Sequence, residues 1–189
     1  MSLPQLNRRL TAAEYLELER AAEFKSEFIG GEMIAIAGAE PPHNRIAGNI
    51  FAELHAQLKG KTCEPFGSDQ RVKADPAGAY TYPDVSVACP PVFGEMMLLN
   101  PTVLVEVLSD STAFRDRVEK WDAYRQIAAL QEYVLAHQSR PQIKLLVRHE
   151  DGWLLQYVTG LDANLTLPSL GITVPMADIY TRVDFAPVK

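Results

Sequence analysis

The chain has 189 residues, 47% of them apolar, and a formal net charge of −6. That acidity argues against a protein that coats nucleic acid through bulk charge, although a local basic groove stays possible. Length and apolar content suit one domain spanning 1–189, with a core that buries most of its apolar surface.

The first helix is signalled by Thr11 and Glu14, spaced so that each side chain can satisfy the other's backbone donor, and it should run to about Ala22. Gly30-Gly31 then sits between Glu27-Phe28-Ile29 and Glu32-Met33-Ile34-Ala35-Ile36, which reads as a β-hairpin with a two-residue turn. Pro41-Pro42 opens a second helix, where Ile46, Ile50, Leu54 and Leu58 recur every four residues and Gly60 ends the pattern.

Strands are expected near Gln70 to Lys73, Tyr80 to Ala88 and Thr102 to Leu108, then a third helix from Phe114 to Ala128. Further strands should follow at Glu132 to Ala136, Ile143 to Arg148 and Trp153 to Val158, with a helical turn near Met176 to Tyr180. The order implies an α/β mixed sheet with helices on its faces. No apolar run reaches the roughly 18 residues of a membrane span. The segment MSLPQLNRRL has no apolar signal core, so the expected location is the cytoplasm, with no membrane partner. Cys63 and Cys89 lack the spacing of a zinc knuckle or a disulfide framework and read as reduced, partly buried fillers.

Two acids interrupt otherwise apolar strands: Asp84, after Pro83, and Glu106, within Val103 to Leu108. A buried carboxylate is costly unless it is paired or binds a metal, so both are expected to converge on one site. Alternation places Glu106 with Leu104 and Leu108, and Val103, Val105 and Val107 on the opposite face. Both faces are apolar, which marks a central strand.

Helical geometry adds a cation. At about 100° per residue from Lys120, residues Ile127, Tyr124, Ala128, Trp121, Phe114 and Val118 fall between about −20° and about +160°. Lys120 lies within that arc, so its ammonium is expected to pair with the Asp84 and Glu106 cluster, while Glu119 and Asp122 face water.

Other polar residues carry plainer readings. His55, His137 and His149 show no ligand spacing, and Ser109 and Ser111 suit helix caps better than nucleophiles. Arg71, Lys73, Arg115, Arg117 and Arg125 are candidates for phosphate contact or an ordinary solvated surface. Glu32 and His43 are secondary candidates near the metal, each with an ordinary structural reading beside it. No phosphate-cradling glycine loop is present in the sequence.

The ordered set Gly31-Glu32, His43, Tyr82-Pro83-Asp84-Val85-Ser86-Val87, Leu104 to Ser109, Asp116-Arg117, Lys120, Tyr124 and Glu132-Tyr133 resembles the Uma-two family of restriction-endonuclease-like proteins, a branch of the PD-(D/E)XK nuclease superfamily. The resemblance covers Leu10 to Val158. It implies a restriction-endonuclease-like core in which Asp84 and Glu106, with the Val107 backbone carbonyl, hold Mg²⁺ or Mn²⁺. The superfamily lysine belongs two residues after the glutamate, where this chain has Leu108; the resemblance moves that role to Lys120. Asp110 and Ala136-His137 also depart from the family pattern.

The implied function is a metal-dependent endonuclease hydrolysing DNA phosphodiester bonds, acting as a homodimer because closed two-fold dimers are common and duplex strands are pseudo-symmetric. Two alternatives stand beside it. One is an inactive nuclease fold that binds or regulates, and the other is a phosphoesterase for small substrates.

Overall fold

The computed structural model describes residues 9–36, 38–75, 78–109 and 113–185, apart from the side chains of 113–117. In chain order the elements are α1 (Ala12–Ala21), β1 (Ser26–Ile29), β2 (Glu32–Ala35), α2 (Pro41–Leu58), β3 (Glu64–Gly67), β4 (Val72–Lys73), β5 (Tyr80–Thr81) and β6 (Val85–Ala88). There follow β7 (Phe93–Gly94), β8 (Met97–Leu98), β9 (Val103–Leu108), α3 (Ala113–Tyr124), β10 (Glu132–His137), β11 (Gln142–His149), β12 (Gly152–Thr159), β13 (Asn164–Leu167), β14 (Ile172–Pro175) and α4 (Met176–Ile179).

They build a mixed α+β fold with two six-stranded sheets. One sheet runs β2-β1-β5-β4-β8-β7, the other β12-β11-β10-β9-β6-β3, and β13 pairs with β14 separately. In the second sheet β9 and β10 are parallel, with α3 as their crossover, and β6 is antiparallel to β9.

Local sequence explains several of these elements. The Thr11 and Glu14 pair forms a reciprocal capping box at α1. Gly30 and Gly31 take φ of 61° and 87°, the left-handed conformation that closes the β1–β2 turn. The four-residue stripe of α2 is buried, with Ile46, Ile50, Leu54 and Leu58 at 0 to 2% exposure, packed on Val85, Val87, Val103, Val105 and Val107. The opposite face of β9, through Leu104 and Leu108, packs with Ala123, Tyr124 and Leu130, together with Val72 and Leu98 of the first sheet. All six residues of β9 are buried, as a strand covered on both sides requires. A third cluster stacks Tyr15 on Phe28 and Tyr80 at 4.9 and 5.5 Å.

Four expectations are corrected. The strand foreseen over Tyr80 to Ala88 is two strands in different sheets, β5 and β6, because Pro83 lacks the N–H a continuous ladder needs. The strand foreseen over Gln70 to Lys73 is confined to Val72–Lys73. The third helix ends at Tyr124, and the chain reaches β10 through turns rather than through helix to Ala128. Cys63 and Cys89 are joined in a disulfide, with Cα atoms 4.1 Å apart. The cause is register: Glu64 pairs with Ala88 across β3 and β6, so the residues one step outward face each other.

Elements absent from the expected list also appear, namely β3, the short β7 and β8, and the β13–β14 hairpin. No helix among the described residues is long and apolar enough to cross a membrane.

Candidate active site

The site forms where β6 begins and β9 ends. Val85 pairs with Val105, so one further step along the antiparallel register sets Asp84 opposite Glu106. Asp84 lies just before β6, where Pro83 has interrupted the ladder, and its Oδ2 accepts the Val107 N–H at 2.7 Å. The aspartate thus substitutes for a missing strand residue and is anchored next to Glu106. A strand residue turns its N–H and C=O to the same side. Leu108 gives its carbonyl to Gln138 on the β10 side, so the alternating Val107 carbonyl faces the Asp84 side.

Glu106 is fixed on the other side of the strand. Its Oε1 accepts from Lys120 Nζ at 2.9 Å and lies 2.9 Å from the Tyr124 hydroxyl, whose oxygen is also 3.0 Å from Thr81 Oγ1. Lys120 and Tyr124 are four residues apart on α3, so they share a face. The buried part of that face includes Ala123 and half-buried Trp121 as well, which puts Lys120 within it, whereas Val118 is exposed at 44%. Burial, reinforced by the Glu106 and Glu27 charges, pushes the Tyr124 hydroxyl well above its usual range. It remains a proton donor at any ordinary pH.

The second partner of Lys120 is Glu27 rather than Asp84. Glu27 Oε1 lies 3.0 Å from the ammonium and also accepts the Tyr82 backbone N–H at 3.1 Å. The three side chains Lys120, Glu27 and Glu106 are 7, 4 and 5% exposed. Carboxylates at this range offset the desolvation of a buried ammonium, as a stable interior pair requires.

The structure brings Asp84, Glu106 and Lys120 to one region, with Asp84 bound to the backbone beside Glu106 and Lys120 to its carboxylate. The expected contact between Lys120 and Asp84 is replaced by the one with Glu27. His43 is also there: it is the third residue of α2, and its Nε2 is 3.2 Å from Asp84 Oδ2. Glu32 is not, because it lies exposed on the outer strand β2 across from Ile29. His55 is exposed and stacks on Phe51, and His149 is exposed. Arg71 pairs with buried Glu19 at 3.3 Å and Arg125 with Asp122 at 3.1 Å, which fits a structural use of both. Asp110 and Ser111 and the side chains of Phe114, Arg115, Asp116 and Arg117 lie outside the described residues.

Sequence reasoning missed Glu27 and the part played by Tyr124. Both had a signal. Glu27 is an acid in an apolar strand, the criterion that singled out Glu106, and Tyr124 stands one helical turn after Lys120.

Among the described residues no three His, Cys, Asp or Glu side chains gather into a metal cage. The donors available are the carboxylates of Asp84 and Glu106 and the Val107 carbonyl, all hard oxygens. Asp84 Oδ1 has no partner among the described residues, and the side chain is 16% exposed. This set fits an ion such as Mg²⁺, which keeps several waters and takes one or two carboxylates, better than an ion that needs an all-protein cage.

Comparison with known proteins gives a consistent result. The model of the Uma2 family, described as "Putative restriction endonuclease", matches residues 12–177. The uncharacterized protein sll1609 of Synechocystis sp. (strain PCC 6803) is 41% identical over 161 residues, covering 82% of this chain and 91% of that one. The uncharacterized protein slr1290 of the same organism is 32% identical over 180 residues, covering 94% of each chain. The crystal structure of "a putative nuclease belonging to DUF820" from Anabaena variabilis matches with a TM-score of 0.72 at 18% identity, covering 91% of this chain and 98% of that one. At that identity the likeness speaks to the fold, which is restriction-endonuclease-like.

Proposed function

Since the chain belongs to the Uma2 family, whose description is "Putative restriction endonuclease", we propose that it is a metal-dependent nuclease hydrolysing phosphodiester bonds in DNA, with Asp84, Glu106 and Lys120 as its catalytic residues. One observation carries this reading. The ammonium that the superfamily pattern would place at position 108, here a buried leucine, instead reaches Glu106 at 2.9 Å from Lys120 on α3.

Asp84, Glu106 and the Val107 carbonyl are the groups to hold Mg²⁺ or Mn²⁺. When bound, such an ion polarises the scissile phosphate and lowers the pKa of an attacking water. The side chains do the rest. Lys120, buried between carboxylates, acts as a fixed positive charge where negative charge develops on the phosphate, rather than as a base. Tyr124 holds Glu106 by its hydroxyl. His43 holds Asp84 from the start of α2, and the Val107 N–H holds the same oxygen from β9. The proposed assembly is a two-fold dimer, which matches the two-fold relation of duplex strands.

The test is incubation of the purified protein with supercoiled plasmid and MgCl₂ or MnCl₂. Nicking that disappears in Asp84→Ala, Glu106→Gln and Lys120→Ala supports the reading. Undiminished cleavage by Glu106→Gln removes Glu106, and with it the mechanism.

A further inference from the structure

Glu27 belongs to the first sheet and Glu106 to the second, and Lys120 on α3 reaches both carboxylates, at 3.0 and 2.9 Å. Its ammonium therefore ties the two sheets together inside the protein. The two acids are not equivalent. Glu106 stands opposite Asp84 at the open end of the strand pair, whereas Glu27 Oε1 is held by the Tyr82 N–H at 3.1 Å. Tyr82 is two residues before Asp84, so Glu27 constrains both the lysine and the backbone leading to the aspartate.

We propose that Glu27 is the positioning residue of this site, keeping the Lys120 ammonium in place when the Glu106 carboxylate is engaged elsewhere. The inference rests on the phosphodiesterase reading for its kinetic consequence but not for its geometry. A lysine side chain has four rotatable stem bonds and a compact charge, so a single carboxylate fixes it poorly. Two carboxylates from different elements define its place. If Glu106 turns an oxygen toward a metal or a phosphate, its hold on Lys120 weakens, while that of Glu27 does not. A catalytic group displaced by about 1 Å can cost on the order of 10²-fold in rate, which makes the anchor consequential.

The decisive variant is Glu27→Gln, whose amide oxygen can still accept the Tyr82 N–H while the charge facing Lys120 is gone. Expected is a fall in kcat on plasmid DNA on the order of 10²-fold, with KM changed by less than about 2-fold, because the ground-state contacts to DNA are untouched. In a Lys120→Ala background the same substitution should cost almost nothing more, since residues that act through one another are non-additive. Glu27→Asp retains the charge on a shorter stem and should recover part of kcat. It serves as the single variant if Glu27→Gln does not fold.

A second readout needs no activity. In a crystal structure of the metal-free Glu106→Gln protein, where the Glu106 charge is gone, Lys120 Nζ should stay beside Glu27, and in the Glu27→Gln/Glu106→Gln protein it should leave that place. Wild-type kcat in Glu27→Gln, a full additional loss in the Lys120→Ala background, an Nζ that leaves Glu27 in the Glu106→Gln structure, or an Nζ unmoved in the double variant would each overturn the assignment. If the wild-type protein cleaves nothing, the phosphodiesterase reading falls by itself, and the Nζ position alone then decides whether Glu27 anchors Lys120.

Discussion

Lys120 meets Glu106 across a sequence separation of 14 residues, from helix to strand, with Nζ and Oε1 2.9 Å apart and both side chains almost wholly buried. The lysine of this site is thus delivered by the crossover helix, and the strand position two residues beyond Glu106 is left to Leu108, which packs in the core.

Removing the charge at either end should act on turnover. Lys120→Ala and Glu106→Gln are each expected to lower kcat on DNA by about 10²- to 10³-fold, the usual effect of deleting one preorganised electrostatic contact in a transition state. Single-turnover cleavage of labelled duplex, with DNA binding measured separately, checks this.

The same residues make a stability prediction. Lys120→Met leaves Glu27 and Glu106 buried without their shared ammonium and should destabilise the fold by about 3 to 5 kcal/mol. Adding Glu106→Gln removes one of the two stranded carboxylates and should restore part of that loss. Chemical denaturation of the two single variants and the double variant gives the coupling directly.

Tyr124→Phe deletes the buried hydroxyl between Glu106 and Thr81 and should cost about 1 to 3 kcal/mol, the range for leaving buried polar partners unsatisfied. In the wild-type protein this phenol should resist ionisation in an alkaline absorbance titration until the chain unfolds, and the substitution should leave the pre-unfolding absorbance change unaltered.

Glu132 predicts a pH dependence. Burial raises its carboxyl above the ordinary value of 4.5, although Ser169 donates to it from both backbone and hydroxyl. The native state therefore binds this proton more tightly than the unfolded chain does. Its contribution is fully present below pH 4.5 and declines as the pH rises through the raised native value. Glu132→Gln should remove this part of the slope, as unfolding free energies compared from pH 4 to 7 will reveal.

Reduction of the Cys63–Cys89 bond, which closes a loop of sequence separation 26, should lower stability by about 3 kcal/mol through the freed entropy of the unfolded chain. For a chain of this size that corresponds to a fall in Tm on the order of 10 °C. A Cys63→Ser variant measured without reductant should match the reduced protein.

What could be read from the sequence was local or periodic. The capping box at Thr11, the Gly30-Gly31 turn, the stripe on α2 and the double burial of β9 each depend on neighbours within one element. The inward angle of Lys120 is of the same kind. What could not be read depends on which strands become neighbours. The disulfide follows from pairing between β3 and β6, and Pro65 and Gly67 disguise β3 as a loop, which an edge strand tolerates. Glu27 meets the criterion that singled out Glu106, an acid in an apolar strand, but that it shares Lys120 with Glu106 depends on how the two sheets pack and is not legible within one element. The β13–β14 hairpin carried a usable signal, since Leu165 and Leu167 alternate with polar residues and lie buried.

Only Tyr82, Pro83 and Asp84 separate β5 of one sheet from β6 of the other. Three residues span about 10 Å at most when fully extended. The two sheets are consequently held within about that distance of each other beside the site, so the gap between the strand that carries Glu27 and the strand pair that carries Asp84 and Glu106 is fixed there by the covalent chain. On the proposed nuclease reading, a phosphate would therefore meet Asp84 and His43 first, whose side chains are 16 and 14% exposed, before the Lys120 ammonium, whose side chain is 7% exposed.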